Sequence, residues 1–442
     1  MTPYFSKDTY SARRDRLLNG LGDVAVIIGA SPHRTKSRDV EYPYRPNNDL
    51  LYLTGYAEPN AVAVLVTSPR NELTLFVRPK DPEKEQWEGL RSGVEGAKEN
   101  FADQAFDISE LETELPGLIS GRDAVYFALG EDRHLDRIVM KTLETLRGGR
   151  GKPNLAPDAI IDPRRKLHDL RRVKTAEEIE VLTKACAITA ETHRLAMEKT
   201  IPGTFEYQLA AFIDFEFKNR GAAGPGYDSI VGGGVNATIL HYTENSAPLK
   251  EGDLVLIDAG AEMNFYNADI TRTFPVGARF TPAQKDLYQA VLDVEEEAIS
   301  LIKPGISAVE LTEWSRRALT EKLVLLKLLD GEVDGLVEQK AYQRFYMHNL
   351  GHYLGMDVHD VGTYLIDEGQ PLPMEPGVVL TIEPGLYIPN DDDIPPEMRG
   401  IGIRIEDDLL VTSDGAENLT ADAPKSVKDI EALRKIALEN GG

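Results

Sequence analysis

One plan occurs twice in the second half of this chain, and it narrows the folds open to it more than any other feature. A helix-forming stretch ends in Pro202-Gly203 and another in Pro304-Gly305; each is followed by a second helical stretch and then by a strand ending on an acid. Glu251-Gly252-Asp253-Leu254-Val255-Leu256-Ile257-Asp258-Ala259-Gly260 can be laid over Glu375-Pro376-Gly377-Val378-Val379-Leu380-Thr381-Ile382-Glu383-Pro384-Gly385. Helix and strand stretches also look alike by chance, so the duplication is an expectation from pattern alone. Two such halves meeting about a pseudo-two-fold axis would bring Asp258 and Glu383 to the middle.

The helices have clear start signals. Thr175 with Glu178 forms a capping box for a helix to about Lys199, and Thr281 with Pro282 and Gln284 opens another to Ile302. Ser307 with Glu310 starts a third that closes before Gly331. Upstream the pattern differs. Val24 to Ile28, Ala61 to Val66, Leu73 to Val77 and Ala124 to Phe127 are short apolar runs that read as buried strands, with helical spacing over Ile108 to Leu118 and Leu135 to Leu146. Gly148, Gly149, Gly151 and Pro153 break this pattern ahead of a charged stretch with Arg164, Arg165, Arg171 and Arg172. The expected class is α/β (α+β), with an N-terminal mixed α/β domain over residues 1–172 and a C-terminal duplicated domain over 173–442.

Composition removes several function classes. A length of 442 residues is enough for two or three domains with full cores. The formal net charge of −24 opposes a phosphate backbone, and no basic run offsets it, so nucleic acid is not an expected partner. No apolar run approaches the ~20 residues that span a bilayer, and the polar stretch from Met1 to Arg16 lacks the apolar centre of a signal peptide. A soluble chain without a membrane partner is expected. The single cysteine, Cys186, excludes an intramolecular disulfide and a thiolate zinc cluster; it reads as a buried core thiol in a reducing cytoplasm.

The chemistry lies in carboxylates placed where burial is costly. Asp258 ends the apolar run Leu254 to Ile257, and Glu383 follows Val378 to Ile382. A buried carboxylate costs several kcal/mol unless it is paired or holds a metal. Asp269 lies eleven residues after Asp258, at the head of an alternating stretch to Phe274, where hairpin geometry can set the two acids side by side. In Ile401 to Glu406, alternation puts Arg404 and Glu406 on one face and Ile403 and Ile405 on the other, on a strand suited to pair with the one carrying Glu383. His241, His348, His352 and His359 fall within 119 positions. No His-Glu-x-x-His and no Gly-x-Ser-x-Gly occurs. Four carboxylates and an imidazole form a hard donor set that suits Mn²⁺ and tolerates Co²⁺, Fe²⁺ or Zn²⁺, and their charge matches two divalent cations that would bridge a hydroxide.

These motifs resemble those of the pita-bread metallopeptidases, and within them the bacterial aminopeptidase P branch. The resemblance is carried by His241-Tyr242-Thr243-Glu244-Asn245, by Asp269 to Pro275, by Arg399 to Asp408, and in the N-terminal region by Glu41 to Arg45 and Tyr52 to Tyr56. It implies that Asp258 and Asp269 hold one metal, that Asp269, His352 and Glu383 serve a second, and that Glu406 bridges both. It also implies Glu383 as general base, with His241, His348 and His359 contacting substrate and the tetrahedral intermediate. Arg404 would orient a ligand carboxylate, with Tyr387 as its hydrogen-bond partner. Asp39 and Trp87 match positions where a neighbouring subunit contributes to the site, which makes a homo-oligomer, dimer or tetramer, the expected assembly. The implied substrates are peptides with proline at position 2. Relatives carry an arginine near Asp367 and Glu368, and this chain does not.

Weaker signals have plainer readings. Gly232-Gly233-Gly234 lacks a following Gly-Lys-Ser/Thr and reads as a flexible turn, and Asp391-Asp392-Asp393 lacks EF-hand spacing and reads as a solvated loop. Trp87, near Arg91, reads first as a partly buried anchor. Prolidase, which needs a free proline carboxylate, is the nearest rival function. A non-catalytic binding module on the same fold is a remoter one.

Overall fold

Val24–Gly29 (β1), Val62–Val66 (β2) and Glu72–Val77 (β3) are apolar runs that bury almost every side chain, which places them inside a sheet rather than at its rim. Gln104–Asp107 (β4), Ala124–Phe127 (β5) and Ala159–Ile161 (β6) complete the order β4-β3-β2-β1-β5-β6. The computed structural model describes residues 3–148, 150, 152–366 and 369–441; Gly149, Gly151, Asp367 and Glu368 lie outside the described residues. The β1–β2 and β2–β3 pairs are antiparallel and the others parallel. Helices Leu111–Ile119 (α1) and Arg133–Leu146 (α2) pack apolar faces on this sheet through Leu115, Ile119, Leu135 and Val139. Residues 108–110, expected as helix, form a separate 3-10 turn before α1.

These elements belong to one compact unit, Met1–Leu170; the second is Arg171–Gly442. In the second unit, Ala176–Lys199 (α3) starts at the Thr175–Glu178 capping box and Glu206–Asn219 (α4) follows Pro202-Gly203. Pro282–Leu301 (α5) starts at the Thr281–Gln284 box, Ala308–Leu325 (α6) at the Ser307–Glu310 box, and Val427–Asn440 (α7) closes the chain. One antiparallel sheet consists of Ile230–Gly233 (β7), Leu254–Asp258 (β8) and Thr271–Pro275 (β9). The other half holds Val379–Ile382 (β10), Gly385–Tyr387 (β11), Gly402–Arg404 (β12), Asp407–Val411 (β13) and Ala416–Asn418 (β14). A bridge between Thr271 and Glu406 joins the two halves. No helix of the described residues is long and apolar enough to cross a membrane.

Two local expectations need correction. Gly232 and Gly233 lie in β7 and not in a flexible turn: a Cβ at Gly232 would stand 2.9 Å from the Asn236 backbone, so glycine there permits a close approach. Trp87 is 86% exposed, so it is no partly buried anchor; its short helix, Pro82–Glu88, leaves the ring in solvent. Asp391 and Asp393 pair with Arg344 and Asp392 with Arg399 on the surface. Cys186 is fully buried, as expected, and its thiol donates to Asp408.

The seam between the halves contains ions. Arg272 and Asp407, both wholly buried, meet at 2.5 Å, and Lys425 reaches Asp407 and Glu295 at 2.6 and 2.7 Å. Burial pushes the Asp407 carboxyl up, but Arg272 and Lys425 outweigh it and hold it below the usual carboxylate range. Removing Arg272 leaves Lys425 alone to balance both Asp407 and Glu295, one cation against two buried carboxylates. Arg272→Leu is therefore expected to cost about 3–5 kcal/mol of stability, read as a lower urea midpoint at unchanged slope.

Candidate active site

Each half brings its acids to the seam by local packing. On β8, Asp258 pairs with Ile230 on one side and Thr271 on the other, so the end of an apolar strand carries it to the middle. Asp269 precedes β9 instead of starting it, because a small sheet of Ala261–Met263 and Tyr266–Asn267 intervenes. Its backbone N–H donates to the Asp408 carboxylate at 3.0 Å, which fixes it there. In the other half, the strand expected over residues 401–406 divides: β12 pairs with β11 and β13 with β10. The break frees Glu406 to face Thr271, whose hydroxyl donates to its Oε2 at 2.6 Å. Ile403 and Ile405 point into the core, and Arg404 and Glu406 into the cavity, as alternation requires.

The segment with His352 is laid along β10. Thr381 N–H donates to the His352 carbonyl, His352 N–H to the Thr381 hydroxyl, and Glu383 N–H to the Leu350 carbonyl. A Cβ at Gly351 would stand 1.9 Å from the Thr381 carbonyl oxygen, so only glycine allows this approach. With Nδ1 3.0 Å from the Tyr353 carbonyl, the other ring nitrogen of His352 faces the acids.

A cavity of about 290 Å³ results, lined by Asp258, Asp269, Glu383, Glu406, Arg404, His241, His348, His352 and His359. His352 Nε2 stands 3.5 Å from Asp269 Oδ2 and 3.7 Å from Glu383 Oε1. Donor atoms of Asp269, His352 and Glu406 all lie within 4.8 Å of one another. Arg404 donates to Asp258 at 2.5 Å and to the Tyr387 hydroxyl at 2.9 Å, and Tyr387 lies 2.9 Å from His348 Nε2. The expected Arg404–Tyr387 contact is therefore present. Asp39 and Trp87 belong to the first unit, where both are exposed.

The charge balance tests the fit to metal. Burial and the Asp258 charge raise the Asp269 carboxyl, and burial with Asp269, Glu383 and Asp258 raises Glu406 well above the usual range. Burial pushes Glu383 up to about 7 against the pull of His352 and Arg404. His352 shows the converse: burial lowers it, but the Asp269 hydrogen bond and the Glu383 charge bring it to about 9. Burial lowers His348 to about 4 and also lowers His359, so both imidazoles are neutral near pH 7. Acids crowded until they hold protons, with one imidazole aimed at them, suit divalent cations.

Sequence reasoning missed Tyr227. Its hydroxyl lies 2.6 Å from Asp258 Oδ1 and also contacts Asp269, tying the two acids together. It follows Gly224-Pro225-Gly226 and belongs to no charged or apolar pattern.

Residues 180–413 match metallopeptidase family M24. Over 433 residues the chain is also 47% identical to the Xaa-Pro aminopeptidase of Escherichia coli strain K12, covering 97% of this chain and 98% of that protein. The chain belongs to metallopeptidase family M24. Residues 10–126 of this M24 protein match the N-terminal domain of aminopeptidase P. The solved structure of Pseudomonas aeruginosa aminopeptidase PepP superposes with a TM-score of 0.95 at 45% identity, over 98% of this chain and 99% of that one. Zinc-substituted E. coli aminopeptidase P in complex with product gives 0.94 at 46%, with 98% and 99% coverage. The mixed α/β N-terminal domain and pita-bread C-terminal domain expected from the sequence are those of this M24 branch.

Proposed function

We propose that this M24 protein is an Xaa-Pro aminopeptidase, which removes an N-terminal residue that precedes proline. The observation that carries the reading is the convergence of Asp258, Asp269, His352, Glu383 and Glu406 on one cavity in a chain so similar to such enzymes over its whole length. An Xaa-Pro bond has no amide hydrogen and a fixed φ, so a site that docks peptides through that hydrogen fails on it. The catalytic domain in this reading is residues 173–442, with residues 1–172 as a separate N-terminal domain.

Asp258 and Asp269 would hold one divalent cation and Asp269, His352 and Glu383 the second, with Glu406 shared between them. Mn²⁺ suits this donor set, which also accommodates Co²⁺, Zn²⁺ or Fe²⁺. When bound, such cations supply Lewis acidity that lowers the pKa of water and polarises a carbonyl. The protein's own groups do the rest. Glu383 takes the proton of the attacking water and carries it towards the leaving proline nitrogen. His241, His348 and His359 would contact the substrate and the tetrahedral intermediate where negative charge develops on the carbonyl oxygen. Arg404, fixed by Asp258 and Tyr387, presents a cation to a substrate carboxylate.

Peptides with proline second are the partners, in a cytoplasmic homo-oligomer, dimer or tetramer, in which Asp39 and Trp87 serve a neighbouring copy. Nucleic acid and membrane have no part in it. Assay of Arg-Pro-Pro beside Gly-Pro discriminates the reading from a prolidase: release of arginine from the longer peptide is expected, and cleavage of the dipeptide alone would reverse the assignment.

A further inference from the structure

The sequence Arg171-Arg172-Val173-Lys174 opens the second unit and takes no part in the chemistry above. Two of its cations are nonetheless buried completely. Lys174 and Arg171 leave 1% and 3% of their side chains exposed, and both face Asp360, itself 1% exposed. Lys174 Nζ lies 3.0 Å from Asp360 Oδ2, and Arg171 Nη2 lies 2.7 Å from Asp360 Oδ1 and from Asp357 Oδ2. Removing such ions from water costs several kcal/mol each, which apolar packing would avoid.

We propose that Asp360, gripped by Lys174 and Arg171, is a positioning residue that sets the path of the backbone carrying His359 beside His352. This rests on the role given to His359 in the aminopeptidase reading.

Residues 354–363 are bends and irregular backbone without helix or strand, so no ladder of backbone hydrogen bonds orients His359. Asp360, one peptide link away, supplies the anchor in two ways. Its side chain is held by the two cations, and its N–H donates at 2.8 Å to the Tyr353 carbonyl. That same carbonyl lies 3.0 Å from His352 Nδ1, so one acceptor holds both the ring nitrogen of His352 and the backbone next to His359. The two rings stand 4.3 Å apart, edge to face. The packing leaves no room for slack: a Cβ at Gly355 would stand 2.2 Å from Asp360 Oδ2 and 3.1 Å from Lys174 Cε. Burial would raise the Asp360 carboxyl, but Lys174 and Arg171 keep it ionised and below its ordinary range.

The test is a double-mutant cycle on the full-length, metal-loaded protein with Arg-Pro-Pro: Lys174→Met, His359→Ala and both together, with kcat referred to folded, metal-containing enzyme. Lys174→Met is expected to lower kcat about 10–100-fold, and the double variant to fall no further than His359→Ala. Lys174→Arg, which keeps a cation at Asp360, should recover most of the loss. If Lys174→Met folds poorly, Lys174→Met/Asp360→Asn removes both charges and enters the same cycle. A kcat unchanged per folded molecule, or losses that multiply in the double variant, would overturn the positioning role and leave the aminopeptidase reading standing. Full activity in His359→Ala would overturn it together with the role of His359. Failure of the wild type to cleave any Xaa-Pro peptide would instead strike at the functional reading itself.

Discussion

Glu383→Gln is expected to lower kcat on an Xaa-Pro peptide by about 10²–10⁴-fold while the chain stays folded. The substitution keeps the volume and one oxygen of the side chain and removes only its charge and its ability to take a proton. Two features make that loss specific. Glu383 Oε1 faces His352 Nε2 at 3.7 Å and Oε2 faces His348 Nδ1 at 3.8 Å, so the carboxylate stands among the groups that would surround a substrate carbonyl. Burial, opposed by His352 and Arg404, raises its pKa to about 7 before any cation binds. Cations bound alongside add positive charge and draw the value down, which favours the ionised form. The check is steady-state release of arginine from Arg-Pro-Pro, with metal content and circular dichroism measured on the same preparation. A loss under about tenfold at full metal content would remove Glu383 from proton transfer.

The acids were legible because their positions violate a rule: Asp258 and Glu383 end runs too apolar to be exposed, and the violation itself marks function. The helix starts at Thr175, Thr281 and Ser307 were legible because a capping box is a local chemical signature. What stayed hidden depends on long-range contact. Tyr227 acquires its role only when β8 and the segment before β9 converge on it from 31 and 42 residues away. Asp408 lies next to Asp407 in sequence, yet one accepts from the Asp269 backbone and the other pairs with Arg272. The edge strands β4 and β6 escaped notice because each has one sheet neighbour: β4 has only half-buried side chains, and the apolar run of β6 is just three exposed residues long. Trp87 shows the opposite error, since aromatic size suggests burial that its surroundings do not provide.

Removal of divalent cations is expected to abolish turnover and to lower the melting temperature, and Mn²⁺ added back should restore both with release of protons. Arg404 and His352 are the cations among the groups lining the cavity, set against four carboxylates. Burial and mutual repulsion keep protons on this set: Glu406 is raised well above the carboxylate range, Asp269 is raised, and His352 stands at about 9. Ligation requires carboxylates and a neutral imidazole, so each cation must displace protons. Apparent affinity therefore rises with pH through the values of about 7 for Glu383 and about 9 for His352, and falls as the medium is acidified. Binding to the folded state alone stabilises it by about 2.7 kcal/mol at a hundredfold excess over Kd, or about 5–10 °C for a domain of this size. Calorimetric titration in two buffers of different ionisation enthalpy counts the protons, and a parallel melt reads the stabilisation. Metal uptake without proton release would mean that the five side chains are not the ligands, and a thoroughly chelated protein that still cleaves Arg-Pro-Pro would remove metal from the reaction.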